Sequence, residues 1–308
     1  MKEKMNMDTR IKLAEKSLRG LSIGDAFGDS FFGDEDVAGN CIYNRTIPAY
    51  TKWEFTDDTV MAIAVTNNLK RFHHIDQDGL AAQFAKNYEK DPNRGYGASI
   101  HRLLRGLGEG KRWQDLSSEQ FYGEGSMGNG AAMRVAPLGC FFYDDYDLLI
   151  QEAYKSAEVT HWNIEAKIGA DAIAVAAALA INLKLENKHI SGEEVILAVA
   201  SKLEDSDTKS KIAKGVSLPK SYRIETIVSA LGNGVRLLSK DTVPIAIWCA
   251  AHYLDNYEEA LWKAVSALGD RDTICAMVGG IVCLYAENNT IPQKWQEWVE
   301  KVEDRDFI

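Results

Sequence analysis

Cysteine, proline and basic charge are all scarce in this chain, and each shortage excludes something. Its five cysteines (Cys41, Cys140, Cys249, Cys275 and Cys283) are an odd, scattered set without a C-x-x-C pair. That pattern argues against both a disulfide framework and a zinc site, and the expected compartment is the reducing cytoplasm. Only six prolines interrupt 308 residues, which leaves long stretches free to be helical. With 35 Lys and Arg against 45 Asp and Glu the net charge is −10. General nucleic-acid binding is therefore not expected, because it relies on cations that neutralise phosphates. Long apolar runs are missing too. The most apolar stretch, IGADAIAVAAALAINL at 168–183, is short for a bilayer and carries Asp171, so a buried helix is expected there. The first residues, MKEKMNMDTRIK, hold no hydrophobic signal core, and no membrane partner is expected.

What is present points to helices. Apolar residues recur at three- and four-residue spacings, as in Ala170, Ile173, Ala174 and Ala177, and no train of alternating strands appears. With 46% hydrophobic residues the chain can bury a substantial core. The expected fold is all-α, a single-domain helical bundle over 1–308, with residues 1–10 frayed and the polar stretch 204–222 a surface excursion. No internal repeat is found.

Four motifs carry chemistry. In WEFTDDTVMAIAV at 53–65, Thr56 suits a helix N-cap, and Asp57 and Asp58 would then sit in the first turn, where the helix dipole favours negative charge. An isolated T-D-D reads as a cap. A second cluster, GDRDT at 269–273, sets Asp270, Asp272 and Thr273 just ahead of another apolar helix. If the two helix starts face each other, their carboxylates repel unless cations lie between them, and hard oxygen donors suit Mg²⁺, Mn²⁺ or Ca²⁺. Third, GEGSMGNG at 123–130 lets Gly125, Ser126, Met127 and Gly128 turn consecutive N–H groups toward an anion, ahead of a helix expected from about Gly130. Read alone, that stretch is equally a glycine-rich turn. Fourth, GLSIGDAFGDSFFGDEDVAG at 20–39 is expected to break a helix with Gly24 and Gly28 around Asp25, then to place Asp29, Asp34, Glu35 and Asp36 in a solvated loop.

Taken together, G-D-A-F-G, T-D-D-T, G-N-G-A-A-M-R-x-x-P-x-G, T-H at 160–161 and D-x-D-T resemble, in this order, the ADP-ribosylglycohydrolase family. The resemblance spans about residues 18–285. It implies an orthogonal all-α bundle with two Mg²⁺ ions, or Mn²⁺, in a central ADP-ribose cleft. Thr56, Asp57 and Asp58 would ligate one metal, and Asp270, Asp272 and Thr273 would contribute to the second. Gly125, Ser126, Met127 and Gly128 match the loop around the diphosphate, and Asn129 and His161 match positions lining the cleft, although a packed histidine fits His161 as well. Tyr96 in RGYG is a candidate stacking platform or part of a turn.

Two positions depart from the pattern. Phe32 stands where relatives often have a glutamate, and Arg271 stands between the C-terminal aspartates where a small residue or threonine is usual. With that glutamate absent, Asp57, Asp58 and Asp272 are the expected catalytic carboxylates, and Glu35 is the loop acid that could replace it. The resemblance implies a Mg²⁺-dependent hydrolase acting on an ADP-ribosylated protein, with arginine as acceptor, or on a small-molecule substrate. Two alternatives stay open: hydrolysis of a small ADP-ribosyl or nucleoside conjugate, and a non-catalytic member that binds ADP-ribose or a protein.

Overall fold

The structure, a computed structural model, describes residues 6–49 and 52–302. Helices α1 (Met7–Asp29), α2 (Glu35–Asn44), α3 (Asp57–Phe72), α4 (Gln77–Lys90) and α5 (Ala98–Gly108) lead into a short α6 (Trp113–Ser118). A glycine-rich loop then precedes α7 (Ala136–Phe141), α8 (Tyr146–Glu158), α9 (Ile164–Leu185) and α10 (Gly192–Ala200). The chain continues through α11 (Asp207–Lys214), α12 (Ile224–Leu231), α13 (Ser239–His252), α14 (Tyr257–Val265), α15 (Arg271–Tyr285) and α16 (Gln293–Trp298). Among the described residues there is no strand, only an isolated antiparallel bridge between Gly128 and Leu238. The fold is all-α, as composition and periodicity indicate.

The packing of α1 on α15 organises the site. Gly24 and Gly28 do not break α1, which runs unbroken to Asp29. Their role is close approach: a Cβ on Gly24 would lie 2.1 Å from the Cys275 carbonyl oxygen, and one on Gly28 would lie 2.3 Å from that of Arg271. Any larger residue would force the helices apart. This contact brings Asp25, on α1, close to the start of α15. Beneath it, Phe27 stacks on Trp295 at 4.5 Å and meets Phe31 and Trp262 edge-on, each ring at 5.1 Å. Burying a side chain of this size contributes roughly 1.5–3 kcal/mol.

Helix α9 is long and apolar enough to cross a membrane by length and composition, yet most of it is packed inside the protein. The buried helix expected at 168–183 lies within it. All five cysteines are free, and four of them are buried.

Three sequence expectations need correction. Met7–Arg10 are not frayed: the Asn6 side chain caps them by accepting from Thr9 N at 2.9 Å, and the Arg10 guanidinium donates to Phe141 O and Asp144. Residues 1–5 lie outside the described residues. Nor is 204–222 a simple excursion, because it contains α11, buries Ile212 and Leu218, and receives the Trp248 indole N–H on Leu218 O at 2.8 Å. Its polar composition hid the two apolar anchors. Asp34, Glu35 and Asp36 are likewise not a loop: Asp34 caps α2 by accepting from the N–H groups of Asp36 and Val37, and Glu35 opens that helix.

Candidate active site

Thr56 caps α3, its hydroxyl accepting from Asp58 N at 3.3 Å, and Asp57 and Asp58 occupy the first turn. Asp270 stands at the N-cap of α15, with Asp272 and Thr273 in the first turn. The two starts meet through Thr273 Oγ1, 3.4 Å from Asp58 Oδ2. Asp25 anchors α3 from α1. Its carboxylate accepts from Thr56 N at 3.0 Å, Thr59 N at 3.1 Å and Thr59 Oγ1 at 2.5 Å, and Thr56 Oγ1 lies 2.9 Å away. Both threonines of T-D-D-T therefore serve a partner 31 to 34 residues earlier in the chain.

Asp57, Asp58, Asp270, Asp272 and Thr273 share the wall of a cavity of about 660 Å³ with the loop Gly125–Gly130, Ile100, Phe121, Met133, His161 and Leu237. The volume suits a small-molecule ligand, whose sites run about 300–1,000 Å³. Thr56 does not line it. Burial, and then mutual repulsion, raises the carboxyls: Asp25 is pushed up to about 7, and Asp57, Asp58 and Asp270 are held well above the carboxylate range. Burial also raises Asp272. Asp58 Oδ1 and Asp272 Oδ1 are fully buried and have no hydrogen-bond partner. Carboxylates crowded in this way, with oxygens left unpaired, have the donor chemistry of a hard divalent cation site. Among the described residues, however, no three His, Cys, Asp or Glu side chains form a ready metal-holding group.

The glycine loop is built differently from its sequence expectation. Gly125 has φ +71°, and a Cβ there would lie 2.8 Å from Asn163 N, so glycine is required. Most of the loop's N–H groups are already engaged: Gly125 N donates to Gln120 O, Gly128 N to Ser126 Oγ, and Asn129 N to Leu237 O. Ser126 and Met127 keep main-chain N–H groups without a partner among the described residues. Beyond the loop, residues 129–131 form a single 3₁₀ turn, and the helix expected near Gly130 starts at Ala136. Asn129 lines the cavity, but its amide donates to Asp270 Oδ2 at 2.5 Å and Thr242 Oγ1 at 2.9 Å, which fixes Asp270.

His161 reaches the cavity with its ring against Gly128 and Gly130, where a Cβ would meet it at 3.1 and 2.8 Å. Arg134 donates to Thr160 Oγ1 at 2.9 Å, and that hydroxyl lies 2.7 Å from His161 Nδ1. This bond ties the Nδ1 side of the ring to Thr160 and leaves Nε2 on the side of the glycine loop. Burial, and then the Arg134 charge, lowers His161 to about 3, so its ring is neutral at ordinary pH.

Two expected residues are not brought to the cavity. Tyr96 is 6% exposed and packs edge-on to Tyr88 and His101, so it offers no free face for stacking. Its neighbours Gly95 and Gly97 line the cavity in its place. Glu35 is exposed on α2 and does not line the cavity. The two departures from the family pattern touch each other: the Arg271 guanidinium lies 5.0 Å from the centre of the exposed Phe32 ring and donates to Phe31 O. Arg271 thus ties down the turn after α1.

Sequence reasoning missed Asp25, Arg134 and Thr242 as parts of the site. Asp25 left a signal, a lone acid on an apolar helix face between two glycines. Arg134 stood within the G-N-G-A-A-M-R motif without a role assigned to it, and Thr242 left no signal, because its partner Asn129 is 113 residues away.

Known proteins resemble this chain over nearly its whole length. A profile of the ADP-ribosylglycohydrolase family matches residues 6–308. The human ADP-ribosylhydrolase ARH3 is 31% identical over 94% of this chain and 90% of its own length. An uncharacterised protein of Archaeoglobus fulgidus is 30% identical over 94% and 91% respectively. A solved structure, described as an ADP-ribosylglycohydrolase-related protein complex, superposes with a TM-score of 0.67 at 21% identity, covering 96% of this chain and 95% of its own, a likeness of fold. The chain belongs to the ADP-ribosylglycohydrolase family and is an enzyme of the glycohydrolase class.

Proposed function

We propose that the cavity hydrolyses the glycosidic bond between an ADP-ribosyl group and its acceptor, with divalent cations, Mg²⁺ foremost, held by Asp57, Asp58, Asp270, Asp272 and Thr273. The observation that carries this reading is the pair of unpartnered, buried oxygens, Asp58 Oδ1 and Asp272 Oδ1, contributed by two facing helix starts beside an anion-compatible loop.

Cleavage at the anomeric carbon passes through an oxocarbenium-like state and needs a placed water, a held sugar and protonation of the leaving group. Bound divalent cations supply charge that neutralises the carboxylates and acidify coordinated water. The chain's own residues do the positioning. Asp25 sets the angle at which α3 presents Asp57 and Asp58, Asn129 orients Asp270, and His161 offers a neutral ring nitrogen to the ligand. With the glutamate absent at Phe32, Asp57, Asp58 and Asp272 are the carboxylates that would hold the attacking water through bound cations.

Release of ADP-ribose from arginine-, serine- and nucleic-acid-linked substrates, with and without Mg²⁺, tests the proposal. Mg²⁺-dependent release from the arginine-linked substrate is the expected result, abolished by Asp272→Asn. Release from another acceptor alone would replace the acceptor and keep the hydrolase. ADP-ribose binding without any turnover would favour a binding protein.

A further inference from the structure

We propose that Arg236 is a specificity-determining residue of this cleft, reading the diphosphate of an ADP-ribosyl ligand; the inference rests on the ADP-ribosyl reading above. Among the described residues five carboxylates line the cavity, on Asp57, Asp58, Glu124, Asp270 and Asp272, against a single lysine or arginine, Arg236. Cations held by the four aspartates would offset those charges but leave Glu124, next to the glycine loop in sequence, so a dianionic group at the loop still needs local positive charge.

The glycine loop cannot provide that charge alone. Only the N–H groups of Ser126 and Met127 are unengaged in residues 125–129, because the other three already hold the loop together. Two neutral donors satisfy part of one phosphate, and a guanidinium adds a charge and a planar fork of donors suited to phosphate oxygens.

Arg236 is placed beside that loop by pairing. Asn129 N donates to Leu237 O at 3.1 Å and Ser239 N donates to Met127 O at 3.0 Å, on either side of the Gly128–Leu238 bridge. The turn that carries it is fixed: Gly234 N donates to Asp241 O, Arg236 N to Asp241 Oδ2 at 3.1 Å, and Leu237 N to Gly234 O, while Leu237 holds φ +55°. A left-handed leucine is unusual, so the surrounding bonds are what impose this conformation. The Asp241 carboxylate thus holds the Arg236 main chain, and the exposed guanidinium forms no ion pair among the described residues. A rigid backbone with a free cation suits a ligand contact better than a solvating role.

Calorimetric titration of the full-length protein with ADP-ribose, inorganic diphosphate and ribose tests the proposal on wild type, Arg236→Gln and Arg236→Lys. The glutamine variant is expected to weaken ADP-ribose and diphosphate binding about tenfold or more, the scale of a lost charge-assisted hydrogen bond. Ribose binding should stay unchanged and the lysine variant should recover part of the loss. Equal ADP-ribose affinity for wild type and Arg236→Gln would overturn the assignment. Arg236-dependent diphosphate binding without ADP-ribose binding would uphold the anion site and overturn the ADP-ribosyl reading. A wild type that binds none of the three would sink both.

Discussion

Asp25 and Thr59 are joined twice: the Thr59 main-chain N–H and its hydroxyl both donate to Asp25 Oδ2, at 3.1 and 2.5 Å. This contact couples α1 to the first turn of α3, so Asp57 and Asp58 inherit their position from a residue that does not line the cavity. Replacing Thr59 with valine keeps the shape and removes the hydroxyl donor. We expect Thr59→Val to lower stability by about 1–3 kcal/mol in urea unfolding, the cost of leaving a buried polar group less satisfied. Turnover should fall with it, because Asp57 and Asp58 shift. Unchanged unfolding would show that the Thr59 hydroxyl contributes nothing to the fold.

The crowded carboxylates make a signed pH prediction. Asp25 titrates near 7 in the folded chain against an ordinary value of 3.8, and half-buried Asp29 near 6. A folded pKa above the unfolded one means that stability is fully present below 3.8 and is lost as pH rises toward about 7. His161, lowered to about 3 by burial, acts in the opposite sense, losing stability as pH falls from 6.5 to that value. The raised carboxyls of Asp25, Asp29, Asp57, Asp58, Asp171, Asp270 and Asp272 outweigh the lowered His161 and His252, so chelator-treated protein should unfold at lower urea at pH 7.5 than at pH 5, and added Mg²⁺ should close the gap. A midpoint independent of pH and Mg²⁺ would contradict the site's assignment as a cation site.

Gly128 faces the His161 ring and Ser126 Oγ, both 3.1 Å from where a Cβ would lie. A β-branched valine there must displace the histidine or the loop. Gly128→Val is expected to weaken ADP-ribose binding at least about tenfold, through loss of charge-assisted contacts, while ribose binding changes little. Comparable losses for both ligands would remove the loop's proposed contact with the diphosphate.

Glu35 is exposed on α2 and does not line the cavity, so Glu35→Gln should lower kcat by less than about tenfold, below the ~10²–10⁴ of a lost general acid or base. A fall inside that larger range, with Mg²⁺ affinity intact, would make Glu35 the catalytic carboxylate and require the turn after α1 to move. Phe32→Glu provides the complementary measurement. Phe32 is 47% exposed and packs on Arg271, so the variant should fold and pair its new carboxylate with that guanidinium.

Helix starts and their acids are readable from the residues alone because capping is local. Thr56 bonds to Asp58 N two residues on, and Asp57, Asp58 and Asp272 sit in first turns as their spacing requires. All-α architecture follows in the same way, from apolar periodicity and scarce proline. What only the tertiary structure decides is which groups are already engaged. Asp25 was visible as an acid between glycines, but not as the acceptor for two threonines more than thirty residues away, since hydrogen bonds at that separation leave no periodic trace. Tyr96 read as an accessible ring and is packed against Tyr88, and Gly125 and Gly128 read as free N–H donors and are bonded within the loop region. Local sequence sets which conformations are cheap; packing between distant segments determines which of those groups are left for a ligand.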